Sequence, residues 1–173
     1  LKGRFDYRIV AKSLPSLPLL EAVMHQTGSN RLMLFHQPFV NRVAAHLPQS
    51  DVLLGKPMPV AAARNFYRQF AGGDFNPARQ LRWLLDTPER VAQYAELASG
   101  LGQDMLVCIE LDVGLRRGGV GNDQQLTEML DLISQSPRLK FSGMMGYEPH
   151  VTKVPGDPVK YRDEAMRTYK HYI

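Results

Sequence analysis

Cysteine occurs once in the 173 residues, at Cys108, so no disulfide can form within the chain and a reducing, cytoplasmic setting fits. Cys108 lies inside an apolar run and reads as a small core residue rather than a nucleophile. No apolar stretch approaches the ~20 residues that a membrane helix needs, and no signal peptide is visible. The net charge is +4, with 21 basic against 17 acidic residues. The basic residues are scattered and do not alternate with aromatics, which argues against nucleic acid and leaves at most an anionic small ligand. No G-x-G-x-x-G follows the first strand, and neither a P-loop nor a G-x-S-x-G elbow is present. His25, His36, His46, His150 and His171 form no H-x-x-x-H spacing, so no metal site is expected within these residues. The first residue is Leu1 rather than Met, which predicts a truncated start.

What remains is a chain that is 44% hydrophobic, enough for one sizeable core. Strand-like and helix-like segments alternate along it. Ile9–Ala11, Arg31–His36, Asp51–Leu54, Gln80–Leu85, Met105–Val113 and Leu139–Met145 are short apolar runs of the kind buried in parallel sheets. Amphipathic helices are predicted between them, with Ser16, Thr87 and Asn122 as N-caps and Pro38 and Pro88 at helix starts. A polar helix follows from about Val159. Six βα units result, with no composition break between them. An open doubly wound sheet would fit six strands, whereas a (β/α)8 barrel needs two more and typically ~250 residues.

Three stretches place polar groups just past strand ends, where α/β folds build their sites. In Tyr7-Arg8-Ile9-Val10-Ala11-Lys12-Ser13 a lysine closes the first strand before Leu14-Pro15-Ser16 breaks it. An ammonium that is half-buried there gives up its proton more readily and becomes an amine nucleophile; the alternative is a lysine that snorkels to the rim. In Cys108-Ile109-Glu110-Leu111-Asp112-Val113-Gly114-Leu115-Arg116-Arg117-Gly118-Gly119-Val120, two acids on alternate strand positions share a face, and two arginines follow. Either they form a rim ion pair, or an arginine held by an acid fixes an anionic oxygen of a ligand. In Gly146-Tyr147-Glu148-Pro149-His150, His150 is either a rim histidine or a general acid/base. Lys56, flanked by Pro57, is a rigid rim residue and the reserve candidate for the reactive amine.

Lys12 after the first strand, Asp112-Val113-Gly114-x-x-Arg117-x-Gly119-Val120, and Gly146-Tyr147-x-x-His150 together resemble the fold-type III pyridoxal-phosphate enzymes, the alanine racemase N-terminal barrel superfamily. Within it the chain is most similar to the D-threonine aldolase and D-serine dehydratase branch. That branch usually has histidine and threonine around its lysine, where this chain reads Val10-Ala11-Lys12-Ser13. The resemblance implies a (β/α)8 TIM barrel, incomplete here, with residues 1–173 as a partial cofactor-binding domain. It also implies a C-terminal β-domain outside this chain, where a divalent metal would be bound, so these residues are expected to belong to a longer protein. It implies that Lys12 holds pyridoxal 5'-phosphate as a Schiff base and shuttles the Cα proton. Arg117 would bond near the cofactor's phenolic oxygen, Asp112 would orient that arginine or its loop, and Tyr147 and His150 would lie at the barrel mouth, His150 as a second acid/base. The implied activity is retro-aldol cleavage of D-3-hydroxy amino acids. The implied alternatives are racemisation, D-serine dehydration, or cofactor binding without turnover as in the single-domain homeostasis proteins of this fold. A homodimer acting on a small amino-acid substrate is the implied assembly.

Overall fold

The computed structural model describes residues 5–13 and 15–173; Leu1 and Leu14 of the readings above lie outside the described residues. In chain order the elements are β1 (Ile9–Ala11), α1 (Leu17–Thr27), β2 (Arg31–Leu34), α2 (Gln37–His46), β3 (Asp51–Leu54), α3 (Val60–Gln69), α4 (Pro77–Gln80), β4 (Leu81–Leu85), α5 (Pro88–Leu101), β5 (Met105–Leu111), α6 (Asp123–Gln135), β6 (Leu139–Gly146), α7 (His150–Lys153) and α8 (Pro158–Tyr172).

The six strands form one sheet in the order β1-β2-β3-β4-β5-β6, and every neighbouring pair is parallel. This order decides between the two architectures that six units allow. A doubly wound sheet reverses its strand order at a switch point, whereas sheet order equal to chain order is that of a barrel wall. The fold is therefore an α/β partial barrel, open between β1 and β6.

Local chemistry starts and stops the helices where the sequence indicates. Leu19 N–H donates to Ser16 Oγ at 3.5 Å, Arg90 N–H to Thr87 Oγ1 at 3.2 Å and Gln125 N–H to Asn122 Oδ1 at 2.9 Å. Gly28 (φ 68°) and Gly102 (φ 65°) end α1 and α5 in the left-handed conformation that a side chain disfavours. Several strand limits differ from the sequence reading. β2 stops at Leu34, and His36 becomes the N-cap residue of α2. β5 stops at Leu111, because the Asp112 side chain captures loop N–H groups instead of continuing the ladder.

The strands and the inner helix faces supply the core. Trp83 on β4 is fully buried among Phe66, Tyr67 and Tyr94, and its Nε1–H donates to Tyr67 Oη at 3.4 Å. Burial pushes the Tyr67 hydroxyl up to about 12. Cys108 is buried on β5, and burial raises its thiol pKa as well, as befits a core residue. At the amino ends of the strands Asp51 lies between two arginines, with Arg8 at 2.5 Å and Arg82 at 2.6 Å. At the far end of β6, Gly146 N–H donates to Tyr169 Oη of α8 at 2.7 Å. Among the described residues no helix is long and apolar enough to cross a membrane.

Candidate active site

A cavity of about 220 Å³ opens at the carboxyl ends of the strands, lined by Lys12, Phe35, Lys56, Arg117, Met145 and Tyr147 among others. Parallel pairing explains the convergence. Ala11 pairs with Leu34, and Leu34 with Leu54. One residue further along, Lys12, Phe35 and Gly55 lie just past the ends of β1, β2 and β3 at the same level. A Cβ on Gly55 would lie 2.4 Å from the Phe35 ring, so glycine is what admits the ring there. Lys12 Nζ lies 5.3 Å from the centre of that ring. The Lys12 side chain is exposed rather than half-buried, because the wall is open between β1 and β6.

On the opposite side the loop after β5 carries Arg117. Its guanidinium lies over the Tyr147 ring at 4.7 Å, and Nη2 is 3.4 Å from Glu110 Oε1. Glu110 is 5% exposed, and burial raises its carboxyl pKa while the Arg117 charge offsets part of that rise. The other acid of this stretch does something different. Asp112 Oδ1 accepts N–H bonds from Gly114 at 3.0 Å and Arg116 at 2.9 Å, which shapes the loop. The loop returns to β5 at Val120, whose N–H donates to Glu110 O at 2.8 Å and whose carbonyl accepts from Asp112 N–H at 2.9 Å. Gly119 makes that return, with φ 96° and no room for a Cβ, which would lie 2.9 Å from Glu110 O. The G-x-x-R-x-G-V spacing is thus a device for bringing one guanidinium back over its own strand.

Lys12, Arg117 and Tyr147 line one cavity; Asp112 and His150 are not among the residues lining it. His150 is 8% exposed, packed edge-on to Tyr161 at 6.0 Å and behind Gly114, where a Cβ would lie 3.2 Å from its Nε2. Among the described residues its Nδ1 has no hydrogen-bond partner. Sequence reasoning did not separate Glu110 from Asp112, because strand alternation puts both on one face. It also left Phe35 and Gly55 unread, although a glycine one residue past a strand end was the available signal.

Residues 19–171 match the family model described as alanine racemase, N-terminal domain. No curated protein matches the sequence. Solved structures are similar in fold. An alanine racemase from Clostridium difficile 630 is 15% identical, with a TM-score of 0.74, covering 97% of this chain and 45% of that one. A histidine racemase from Leuconostoc mesenteroides subsp. sake is 18% identical, with a TM-score of 0.73, covering 95% of this chain and 42% of that one. A D-threonine aldolase from Filomicrobium marinum is 18% identical, with a TM-score of 0.72, covering 93% of this chain and 41% of that one. The chain spans less than half the length of each. By its family match and by the order of its strands, the chain belongs to the alanine racemase N-terminal domain family.

Proposed function

We propose that this chain forms the cofactor-holding wall of a pyridoxal-phosphate enzyme acting on D-amino acids, a D-threonine aldolase-like lyase. The observation that carries the reading is one cavity shared by a lysine amine, an acid-backed guanidinium and a tyrosine ring. These groups fit the reactive edge of the cofactor: Lys12 Nζ for its aldehyde carbon, Arg117 for its phenolic oxygen, and Met33 and Met145 as apolar lining beside its ring. When bound, pyridoxal phosphate supplies the electron sink for charge developing at the substrate Cα.

The chain's own residues do the rest. Lys12 would hold the aldehyde carbon of the cofactor and, as a free amine, would move a proton at the substrate Cα. Arg117 orients the phenolic oxygen, and Glu110 keeps the guanidinium over the cavity. Asp112 holds the loop that carries Arg117. Tyr147 covers the face of the guanidinium. His150 is the second acid/base of this reading, and its packing behind Gly114 means that the loop must shift for its ring to reach the cavity. The setting is cytoplasmic and the assembly a homodimer.

The test uses the full-length protein. Added pyridoxal phosphate is expected to give an absorbance band near the visible edge, and borohydride is expected to fix it on Lys12, as read by peptide mapping. Lys12→Ala abolishes both. Formation of glycine and acetaldehyde from D-threonine supports the lyase. Racemisation of alanine without cleavage selects the second reading, which the racemase folds among the similar structures favour. Pyruvate from D-serine selects a dehydratase, and a band without turnover selects a non-catalytic cofactor carrier. No band with added cofactor overturns the proposal.

A further inference from the structure

Three cationic side chains, Lys12, Lys56 and Arg117, line the cavity. Among the described residues they face one buried carboxylate, Glu110, which pairs with Arg117. The next acid whose charge reaches Glu110 is Asp86, and Arg90 holds it at 3.1 Å. Lys56 makes no hydrogen bond or ion pair among the described residues, yet its charge is felt by Glu110. The cavity therefore carries a positive charge that the described residues do not neutralise.

The backbone under Lys56 is held in place. Pro57 keeps its predecessor out of the helical region. Gly55 N–H donates to Leu34 O at 2.8 Å, which ties the start of the loop to β2. Two side chains of α5 grip its other end: Arg90 Nη1 and Tyr94 Oη each donate to Met58 O at 3.0 Å. A cation mounted on a stem rooted so firmly loses less freedom when it meets a ligand.

We infer that Lys56 is the residue that receives the carboxylate of the amino-acid substrate. This assignment rests on the reading proposed above, in which the same cavity takes an amino acid. Every amino acid brings one carboxylate. Lys12 is committed first to the aldehyde carbon and then, as a free amine, to the proton at Cα, and Arg117 to Glu110 and the phenolic oxygen, so Lys56 is the cation left for it. A compact ammonium suits a carboxylate that approaches from a variable angle, whereas a guanidinium fork would demand one plane.

The experiment compares the full-length, cofactor-loaded protein with its Lys56→Met and Lys56→Arg variants. Each is titrated with D-threonine and with 1-amino-2-propanol, which keeps the carbon frame of D-threonine and lacks its carboxylate, and the absorbance change is followed. Lys56→Met is expected to raise the half-saturating D-threonine concentration about tenfold, equivalent to about 1.4 kcal/mol. The amino-alcohol titration moves less than twofold, Lys56→Arg recovers only part of the loss because its fork demands one plane, and borohydride labelling of Lys12 is unchanged. Equal losses for both amines, or no loss for either, overturn the assignment while leaving the cofactor reading intact. A second arm needs no cofactor: propionate is titrated calorimetrically into unloaded protein. Saturable heat that disappears in Lys56→Met supports the carboxylate site even where the loaded band fails to form. Heat that persists in Lys56→Met, or a parent protein that gives none, overturns it.

Discussion

The two ends of the sheet handle charge in opposite ways. At the amino ends Asp51 is gripped by Arg8 at 2.5 Å and Arg82 at 2.6 Å, and Arg8 also donates to the Asp51 carbonyl at 2.9 Å. Those side chains are only 19–25% exposed, and the arrangement is closed. In the cavity at the carboxyl ends the acid–base contact is longer, 3.4 Å between Arg117 and Glu110, and among the described residues Lys12 and Lys56 form no ion pair. A charge cluster that satisfies itself serves the fold, while one left in excess serves a ligand. The same sheet is thus stitched at one end and reactive at the other, and which end is which follows from the direction of parallel strands.

That contrast can be broken by substitution. Asp51→Ala leaves two half-buried guanidinium groups with no counter-charge and is expected to cost about 3 kcal/mol in urea unfolding, with borohydride labelling of Lys12 retained. Loss of labelling without loss of stability would reverse the roles given to the two ends. Arg117→Met is expected to weaken cofactor uptake about tenfold, or about 1.4 kcal/mol, in a titration of the absorbance band. Its unfolding midpoint should move less than that of Asp51→Ala.

Glu110→Gln is the finest probe. Burial raises the folded-state pKa of Glu110 above the ordinary 4.5, so the folded chain holds that proton more tightly than the unfolded one. Its contribution to folding is present below about pH 4.5 and is lost as the pH rises through the folded-state value. The glutamine variant should therefore be the more stable protein at pH 7, by a margin that shrinks towards pH 4, and should bind cofactor less well. Denaturation across that range decides it: a margin growing on acidification contradicts the sign.

Much of the architecture was legible beforehand because buried parallel strands read as continuous apolar runs, and caps such as Thr87 and Asn122 announce their helices. Asp51–Leu54 came out with the bounds read from the sequence. The βα pattern alone suits two topologies equally; the barrel order was legible only through the family resemblance, and the sheet has that order. The short helices α4 and α7 escaped too, since four residues offer no period to detect. At the site, Lys12, Arg117 and Tyr147 could be singled out because each follows a strand, and strand ends point the same way in a parallel sheet. The partner of Arg117 could not be assigned between two acids two residues apart. Strand alternation stops at Leu111, and beyond it Asp112 answers to its own loop. The Arg8–Asp51–Arg82 cluster joins β3 and β4 to the residue just before β1, and no one-dimensional pattern links them.

Because neighbours along the chain are also neighbours in the sheet, each connection delivers its own side chain to the common chamber independently of the others. Replacing residues 56–59 while keeping Gly55, which admits the Phe35 ring, would alter Lys56 without disturbing the strand that presents Lys12 or the turn that presents Arg117. Such a wall is modular: new specificities arise by exchanging one connection at a time, on a framework whose opposite rim stays sealed.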